Sequence, residues 1–257
     1  MTHGICNLSV IPLRAEPAHA SEQVSQILFG EHVEVIESND EWLRIRAGYD
    51  NYEGWLKAEQ VTEIDHEEFQ NLNSEHPCMS YDLVQILIRD SDMQSILLGS
   101  TLPHFKDHTC RLGKTAYRFE GTVKCPEKLQ NTRSIVENAY MYKDAPYLWG
   151  GRTPFGIDCS GFTQMVFKLS GIRLQRDAWQ QAEQGSLIHL VDETQPGDLA
   201  FFDNDEGKIT HVGVILEKGR IIHASGKVRI DAFDHHGIFH AESKKYSHNL
   251  RLLKRFV

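Results

Sequence analysis

Apolar positions along this chain change period twice. Up to about residue 65 they fall in short alternating runs, at 5–13, 24–29, 32–36 and 42–47. Turn signals separate the runs: Phe29-Gly30-Glu31, Ser38-Asn39-Asp40 and Gly48-Tyr49-Asp50-Asn51. This predicts a small β domain over 1–65. Residues 63–76 are acidic and polar and read as a connector. Strand patterning returns from about 77 to 125, in runs at 81–88, 95–98 and 110–119, the last broken by Gly113, so that 66–125 stands as a second segment. That segment is β-rich, with room for a second small barrel.

Pro126 opens the remaining segment, 126–257, where the period lengthens. Leu129, Arg133, Val136 and Tyr140 share one face of a helix predicted over 127–144, with Pro146 beyond its end. A loop with three glycines and a proline in eight residues follows. Phe162, Met165, Val166 and Leu169 then recur at helical spacing, and Gly171 supplies a stop. A short helix over 177–184 has Asp177 as N-cap. Strands are predicted at 199–202, 210–216, 220–224, 228–231 and 249–256. Helices followed by strands predict an α+β domain, with the 162–169 helix packed on an antiparallel sheet.

Composition narrows the function. A 257-residue chain that is 40% hydrophobic and 25% charged can bury a full core. A formal charge of −9 disfavours nucleic-acid and anionic-membrane partners, which need a basic face. No apolar run reaches transmembrane length. Five cysteines, an odd count without a C-x-x-C pair, argue against a disulfide framework or a zinc–thiolate site, and for a reducing compartment. The first residues lack the pattern of a secretory signal, so a cytoplasmic location is expected.

Cys159 lies where the glycine-rich loop meets the helix N-terminus, where free N–H groups and the helix dipole favour a thiolate. A thiol nucleophile needs a base, and the base needs an orienter. Two of the fourteen histidines occupy consecutive apolar strands: His211 in Thr210-His211-Val212-Gly213-Val214, and His223 in Ile221-Ile222-His223-Ala224. A three-residue loop, Glu217-Lys218-Gly219, would set Leu216 against Arg220 and Gly213 against His223. Both rings then share a face as diagonal neighbours. A two-residue turn would place them on opposite faces. His235, His236 and His240 form a rival cluster. It lacks a recognisable ligand spacing and reads as a polar loop rather than a metal site.

Tyr147-x-Trp149-Gly150-Gly151, Asp158-Cys159-Ser160-Gly161-Phe162, Arg176-Asp177, Pro196-Gly197-Asp198-Leu199, His211-Val212-Gly213-Val214 and His223-Ala224-Ser225 occur in this order. Together they resemble the NlpC-type papain-like cysteine peptidases of bacteria. Leu28-Phe29-Gly30-Glu31, Trp42 and Tyr52-Glu53-Gly54-Trp55 resemble the bacterial SH3-like domain. The resemblance implies an α+β papain-like peptidase domain preceded by one or two SH3-like β-barrels. It implies Cys159 as nucleophile, His211 as base and His223 as its orienter, with the Cys159 N–H and the Tyr147 hydroxyl as oxyanion donors. It implies that Asp158 holds a substrate α-amine, that Ser160, Arg176 and Asp177 shape the glutamate pocket, and that Glu22 and Tyr52 contact the amine. Glu16 and Tyr49 lie close enough in sequence to be confused with that pair. Relatives often carry Ser where Ala178 stands. The implied activity is hydrolysis of the γ-D-glutamyl-L-diamino acid bond in murein tripeptides or longer stem peptides with a free N-terminal L-Ala; the sequence leaves the oligomeric state open, with a monomer as the expectation. Neither a metal nor an organic cofactor is implied. The alternatives are a secreted hydrolase of intact wall and a non-catalytic wall-peptide binder.

Overall fold

The structure, a computed structural model, describes residues 1–74, 77–125, 132–217 and 219–257. The chain forms two compact units, Met1–Glu127 and Lys128–Val257. Among the described residues no helix is long and apolar enough to cross a membrane.

The first unit begins with seven strands: β1 (His3–Cys6), β2 (Val10–Arg14), β3 (Gln23–Leu28), β4 (His32–Ser38), β5 (Trp42–Ala47), β6 (Glu53–Lys57) and β7 (Val61–Glu63). They form one curled antiparallel sheet in the order β3-β2-β6-β5-β4-β1-β7. Alternate residues point inward, and Ile11, Leu13, Ile27, Val33, Leu43, Ile45 and Leu56 fill the core. Each such side chain contributes about 1.5–3 kcal/mol by leaving water. The run at 5–13 is two strands rather than one. Phe29 N–H donates to the Ser9 carbonyl and Gly30 N–H to that of Cys6, drawing the chain aside between them.

The polar stretch after β7 is helical, not a bare connector: α1 spans His66–Ser74. The Asp65 carboxylate accepts from the Glu68 N–H, and Leu72 is buried with Phe69 packed near it. The prediction failed because two apolar positions, three apart, are enough to seat a short helix on an existing core.

Next come β8 (Cys78–Ser80), β9 (Val84–Arg89), β10 (Asp92–Leu97), β11 (Thr101–Leu102), β12 (Thr109–Leu112), β13 (Thr115–Phe119) and β14 (Val123–Lys124). They build a four-stranded sheet, β10-β9-β13-β12, and a three-stranded one, β11-β8-β14. Leu87, Ile96, Leu102 and Phe119 share a core with Ile5 of β1 and Phe29 just past β3, which explains why residues 1–127 cluster as one unit. Val123 pairs with Ser80 and Lys124 with Met79, so the next step along both strands sets Cys125 against Cys78. These two form a disulfide, contrary to the expectation from the odd count. An odd total forbids complete pairing, not one pair.

The second unit opens with α2 (Thr132–Met141); the start of the helix predicted over 127–144, with Leu129, lies outside the described residues. The short strands β15 (Arg152–Thr153) and β16 (Gly156–Ile157) then lead into α3 (Cys159–Lys168). All ten residues of α3 are buried, as in a central helix covered on every side. α4 (Ala178–Ala182) follows. The rest is β17 (Ser186–Ile188), β18 (Leu199–Asp203), β19 (Ile209–Glu217), β20 (Arg220–Ser225), β21 (Lys227–Asp234), β22 (Gly237–His240) and β23 (Lys245–Arg255). β18 to β23 pair in sequence, and β23 returns to β18, so six antiparallel strands close into a barrel with β17 on its rim. Phe202, Ile215, Ile221, Phe233, Ile238 and Leu253 fill it. Val212, Val214, Ile222 and Ala224, of opposite parity, are buried on the outer face of β19 and β20, where α3 packs. His240, assigned above to a polar loop, sits in β22.

Candidate active site

The β19–β20 register decides where the histidines point. Gly213 stands opposite His223, Val214 opposite Ile222 and Ile215 opposite Ile221. Glu217, however, pairs with Arg220, and Leu216 is the extra residue of a bulge. The expected pairing of Leu216 with Arg220 is therefore replaced by a bulge; Lys218, in the expected loop, lies outside the described residues. Both solutions insert one residue, so they give the same register beyond it. A Cβ on Gly213 would lie 2.9 Å from the His223 Cβ and 2.8 Å from Ile221 Cδ1, so only glycine leaves room for that ring.

His211 and His223 are thereby diagonal neighbours on the inner face of the barrel. Nε2 of His211 lies 2.8 Å from Nδ1 of His223. His223 Nε2 lies 2.9 Å from Asp231 Oδ2 on β21. Arg229 closes the line with a two-pronged contact, donating from Nε to Asp231 Oδ2 at 2.7 Å and from Nη2 to Oδ1 at 2.9 Å. His248, on β23, stacks on His211 with ring centroids 4.0 Å apart.

Cys159 is the first residue of α3. Its Sγ lies 3.9 Å from the Thr210 carbonyl, immediately before His211, so the helix start abuts the rim of the barrel. Asp158 is the N-cap. Oδ1 accepts from the Gly161 N–H at 2.6 Å, and Oδ2 from the Gly150 N–H at 2.8 Å. A Cβ on Gly161 would lie 2.2 Å from the Gly151 carbonyl oxygen, so the glycine-rich loop and the helix touch backbone to backbone. Arg176, 1% exposed, forks the same carboxylate at 3.1 and 2.6 Å and donates to Ser160 Oγ at 3.0 Å. Asp158, Ser160 and Arg176 thus form one buried polar knot behind the nucleophile. Asp177 caps α4, its N–H donating to Gln180 Oε1.

The electrostatics depart from the thiolate expected at a helix start. Burial pushes the Cys159 thiol up to about 12, and the Asp158 charge adds to this. The negative cap next to the thiol opposes the helix dipole and occupies an orphan donor. Burial, reinforced by His223 and His248, holds His211 well below the ordinary 6.5 of histidine. Burial lowers His223 as well, against the opposing pull of Asp231. Asp231 itself resists the upward effect of burial, because the His223 and Arg229 hydrogen bonds bring it down to about 2. Tyr147, 37% exposed, has its hydroxyl pushed up to about 12 by burial and by its neighbours Cys159 and Asp158, so it stays a proton donor.

Among the described residues, the ligand atoms of His211, His223 and His248 lie within 4.8 Å of one another, close enough to suit a metal ion. The hydrogen bond between His211 and His223 commits one nitrogen of each ring, and the stacked planes of His211 and His248 do not converge on a common point. Of the rival cluster, the His235 and His236 rings meet at a tilt with centroids 4.0 Å apart, and His240 Nδ1 accepts from the Ser243 N–H.

In the first unit, Glu22 is exposed just ahead of β3, and Tyr52 packs half-buried against the sheet core before β6. Glu16 is exposed and Tyr49 half-buried. Sequence reading missed Asp231, Arg229 and His248. The first two were within reach: carrying the β19–β20 register test on to β21 sets Arg229 opposite His223, with Asp231 two residues further on the same face. Nothing local marks His248 among fourteen histidines.

Known proteins share both halves of this arrangement. Residues 144–245 match the model of the NlpC/P60 family, and residues 13–61 that of the bacterial dipeptidyl-peptidase Sh3 domain. The chain is 32% identical to a gamma-D-glutamyl-L-lysine dipeptidyl-peptidase of Bacillus subtilis (strain 168), over 78% of this chain and 71% of that protein. It is 29% identical to dipeptidyl-peptidase 6 of Lysinibacillus sphaericus, over 86% and 88%. Among solved structures, a NlpC/P60 family protein from Bacillus cereus ATCC 10987 superposes with a TM-score of 0.81, at 19% identity, over 99% of both chains, a likeness of fold.

Proposed function

This chain belongs to the NlpC/P60 family of cysteine peptidases, and on that footing we propose that it hydrolyses the amide between the γ-carboxyl of D-glutamate and a diamino acid in peptides derived from peptidoglycan. One observation carries the reading: a buried thiol at a helix start abuts the strand of His211, and His211 is hydrogen-bonded in turn to His223. The substrate class is supported by the Bacillus subtilis and Lysinibacillus sphaericus relatives, both dipeptidyl-peptidases by name.

In the proposed reaction Cys159 Sγ attacks the γ-carbonyl while its proton passes to His211. The oxyanion is held by the Cys159 N–H and the Tyr147 hydroxyl, and one such donor contributes about 3–4 kcal/mol to the transition state. Collapse breaks the C–N bond, and His211 protonates the leaving amine of the diamino acid. Water, deprotonated by His211, then cleaves the thioester and frees the dipeptide L-Ala-γ-D-Glu. Asp158 and Ser160 supply acceptors for a free α-amine next to the nucleophile, and Arg176 holds them in place. An amine requirement confines the enzyme to peptides already detached from sugar, which suits the recycling of wall fragments.

The test is incubation of L-Ala-γ-D-Glu-L-Lys, and of its meso-diaminopimelate counterpart, with the protein and with Cys159→Ala. Release of L-Ala-γ-D-Glu by the wild type alone is expected. Failure to cleave either peptide would sink the reading. The N-acetylated tripeptide should be a poor substrate; equal cleavage would remove the amine from the proposal.

A further inference from the structure

β19, β20 and β21 are consecutive antiparallel neighbours, and their registers step in one direction. His211 lies two residues from Gly213, which faces His223; Asp231 lies two residues from Arg229, which also faces His223. His211, His223 and Asp231 therefore run diagonally across three strands on one face. All three are buried, at 6%, 1% and 8% exposure.

The hydrogen-bond roles along this diagonal follow from its far end. An ionised carboxylate can only accept, so the contact at 2.9 Å requires a proton on His223 Nε2. A neutral His223 then carries its lone pair on Nδ1. That atom lies 2.8 Å from His211 Nε2, which must supply the hydrogen. A neutral His211 protonated on Nε2 keeps its lone pair on Nδ1, the atom left over for the thiol proton. The opposite wiring would put hydrogen on His211 Nδ1 and leave it no basic site toward Cys159.

We infer that Asp231 is a positioning residue that sets the tautomers of both histidines and thereby makes His211 a base toward Cys159. Arg229, 25% exposed at its side chain, holds the carboxylate with its two-pronged contact. When His211 takes up the thiol proton, only the S–H bond breaks and only the His211 Nδ1–H bond forms. The other hydrogens stay where they are, and the new imidazolium charge is stabilised through His223 by Asp231. The charged and titratable groups around the line are Arg229 and Asp231 on β21, His223 on β20, His248 on β23, His240 on β22 and Asp158 beside Cys159.

This inference rests on Cys159 and His211 acting as a nucleophile–base pair, yet it is tested without substrate. In the full chain labelled with 15N-histidine, the imidazole nitrogen shifts at pH 7 should show His211 and His223 both protonated on Nε2. A proton on Nδ1 of either neutral ring would overturn the assignment. Asp231→Asn and Asp231→Ala should slow alkylation of Cys159 by iodoacetamide about tenfold or more, the range of a lost acid–base partner, and Asp231→Glu should recover part of the rate. With the tripeptide, kcat should fall by a similar factor while KM stays within about twofold. Wild-type alkylation rates in the folded Asn and Ala variants would refute the proposal. So would a lower melting temperature with unchanged alkylation per folded molecule, the mark of a purely structural residue. If the tripeptide is never cut but alkylation still depends on Asp231, the substrate reading fails and this one stands.

Discussion

Cys159 keeps its proton in the resting site, and so does not meet His211 as a preformed ion pair. The thiol is pushed up to about 12 by burial and by Asp158, while burial keeps the imidazole neutral. Proton transfer must then accompany attack, as it does for a serine nucleophile. The rate of Cys159 alkylation should accordingly follow the neutral fraction of His211, levelling off above a midpoint that lies below 6.5, with no ultraviolet thiolate absorbance at pH 7; such an absorbance would reveal a standing ion pair. The same burial links stability to acidity. His211, His223 and His248 all titrate below the ordinary 6.5, His248 at about 4. The unfolded chain therefore binds more protons than the folded one between about 6.5 and about 4, and folding weakens as pH falls through that window. The stabilisation from Asp231, lowered to about 2, is present in that window and is lost only below it, as pH falls from the ordinary 3.8 towards 2. The melting temperature should drop on going from pH 7 to pH 4.5, and His248→Phe should shrink the drop; an unchanged slope would remove His248 from the account. Cys159 and the two histidines were legible in the sequence because each sits in a locally patterned element. Asp231 and His248 were not, because their contacts cross strands.

α3 and its cap are the element on which the site depends. Asp158 serves the helix end, the loop and Arg176 at once. Removing it leaves a guanidinium that is 1% exposed without its main counter-charge. Asp158→Ala should cost about 3–5 kcal/mol, the range for one half of a broken buried ion pair. Urea unfolding of the full chain would measure this, and a loss under 1 kcal/mol would mean the knot is slack. Inactivity of that variant would therefore say little about amine binding unless the folded fraction is measured as well. On β19, Gly213→Val should displace the His223 ring and lower kcat by about tenfold or more, again with KM little changed. Unaltered turnover would show that the ring has space to spare. The β19–β20 pairing shows how far pattern alone reaches. Alternation fixed which face the histidines share, but a loop of three and a bulge are equivalent at that distance. α1 was missed for the opposite reason: its charged surface hides the two apolar residues that dock it.

For the molecule as a whole, the step from β-rich to α+β segments was visible in the change of hydrophobic period, but the division expected at residue 65 does not separate two units, because residues from both sides share one core. The covalent link was not visible. Cys78 and Cys125 are 47 residues apart and meet only because β8 and β14 pair. A disulfide persists where the redox poise is oxidising, so the cysteine count no longer points to a reducing compartment. The expected thiol titration is three reactive groups in the denatured, unreduced protein, Cys6, Cys110 and Cys159, and five after reduction. Five before reduction would disprove the bond. Closing a loop of this length contributes about 2–4 kcal/mol, so Cys78→Ser should lower the denaturation midpoint by a corresponding amount, measurable in urea. The bond also gives the chain a mechanical shortcut. If the two ends are pulled apart, tension crosses from Cys78 to Cys125 through sulfur, and the intervening stretch bears no load. Stretched in a force spectrometer, the oxidised protein should come up short of its full contour length by about 150 Å, the span of that hidden segment, and a reductant in the buffer should restore it.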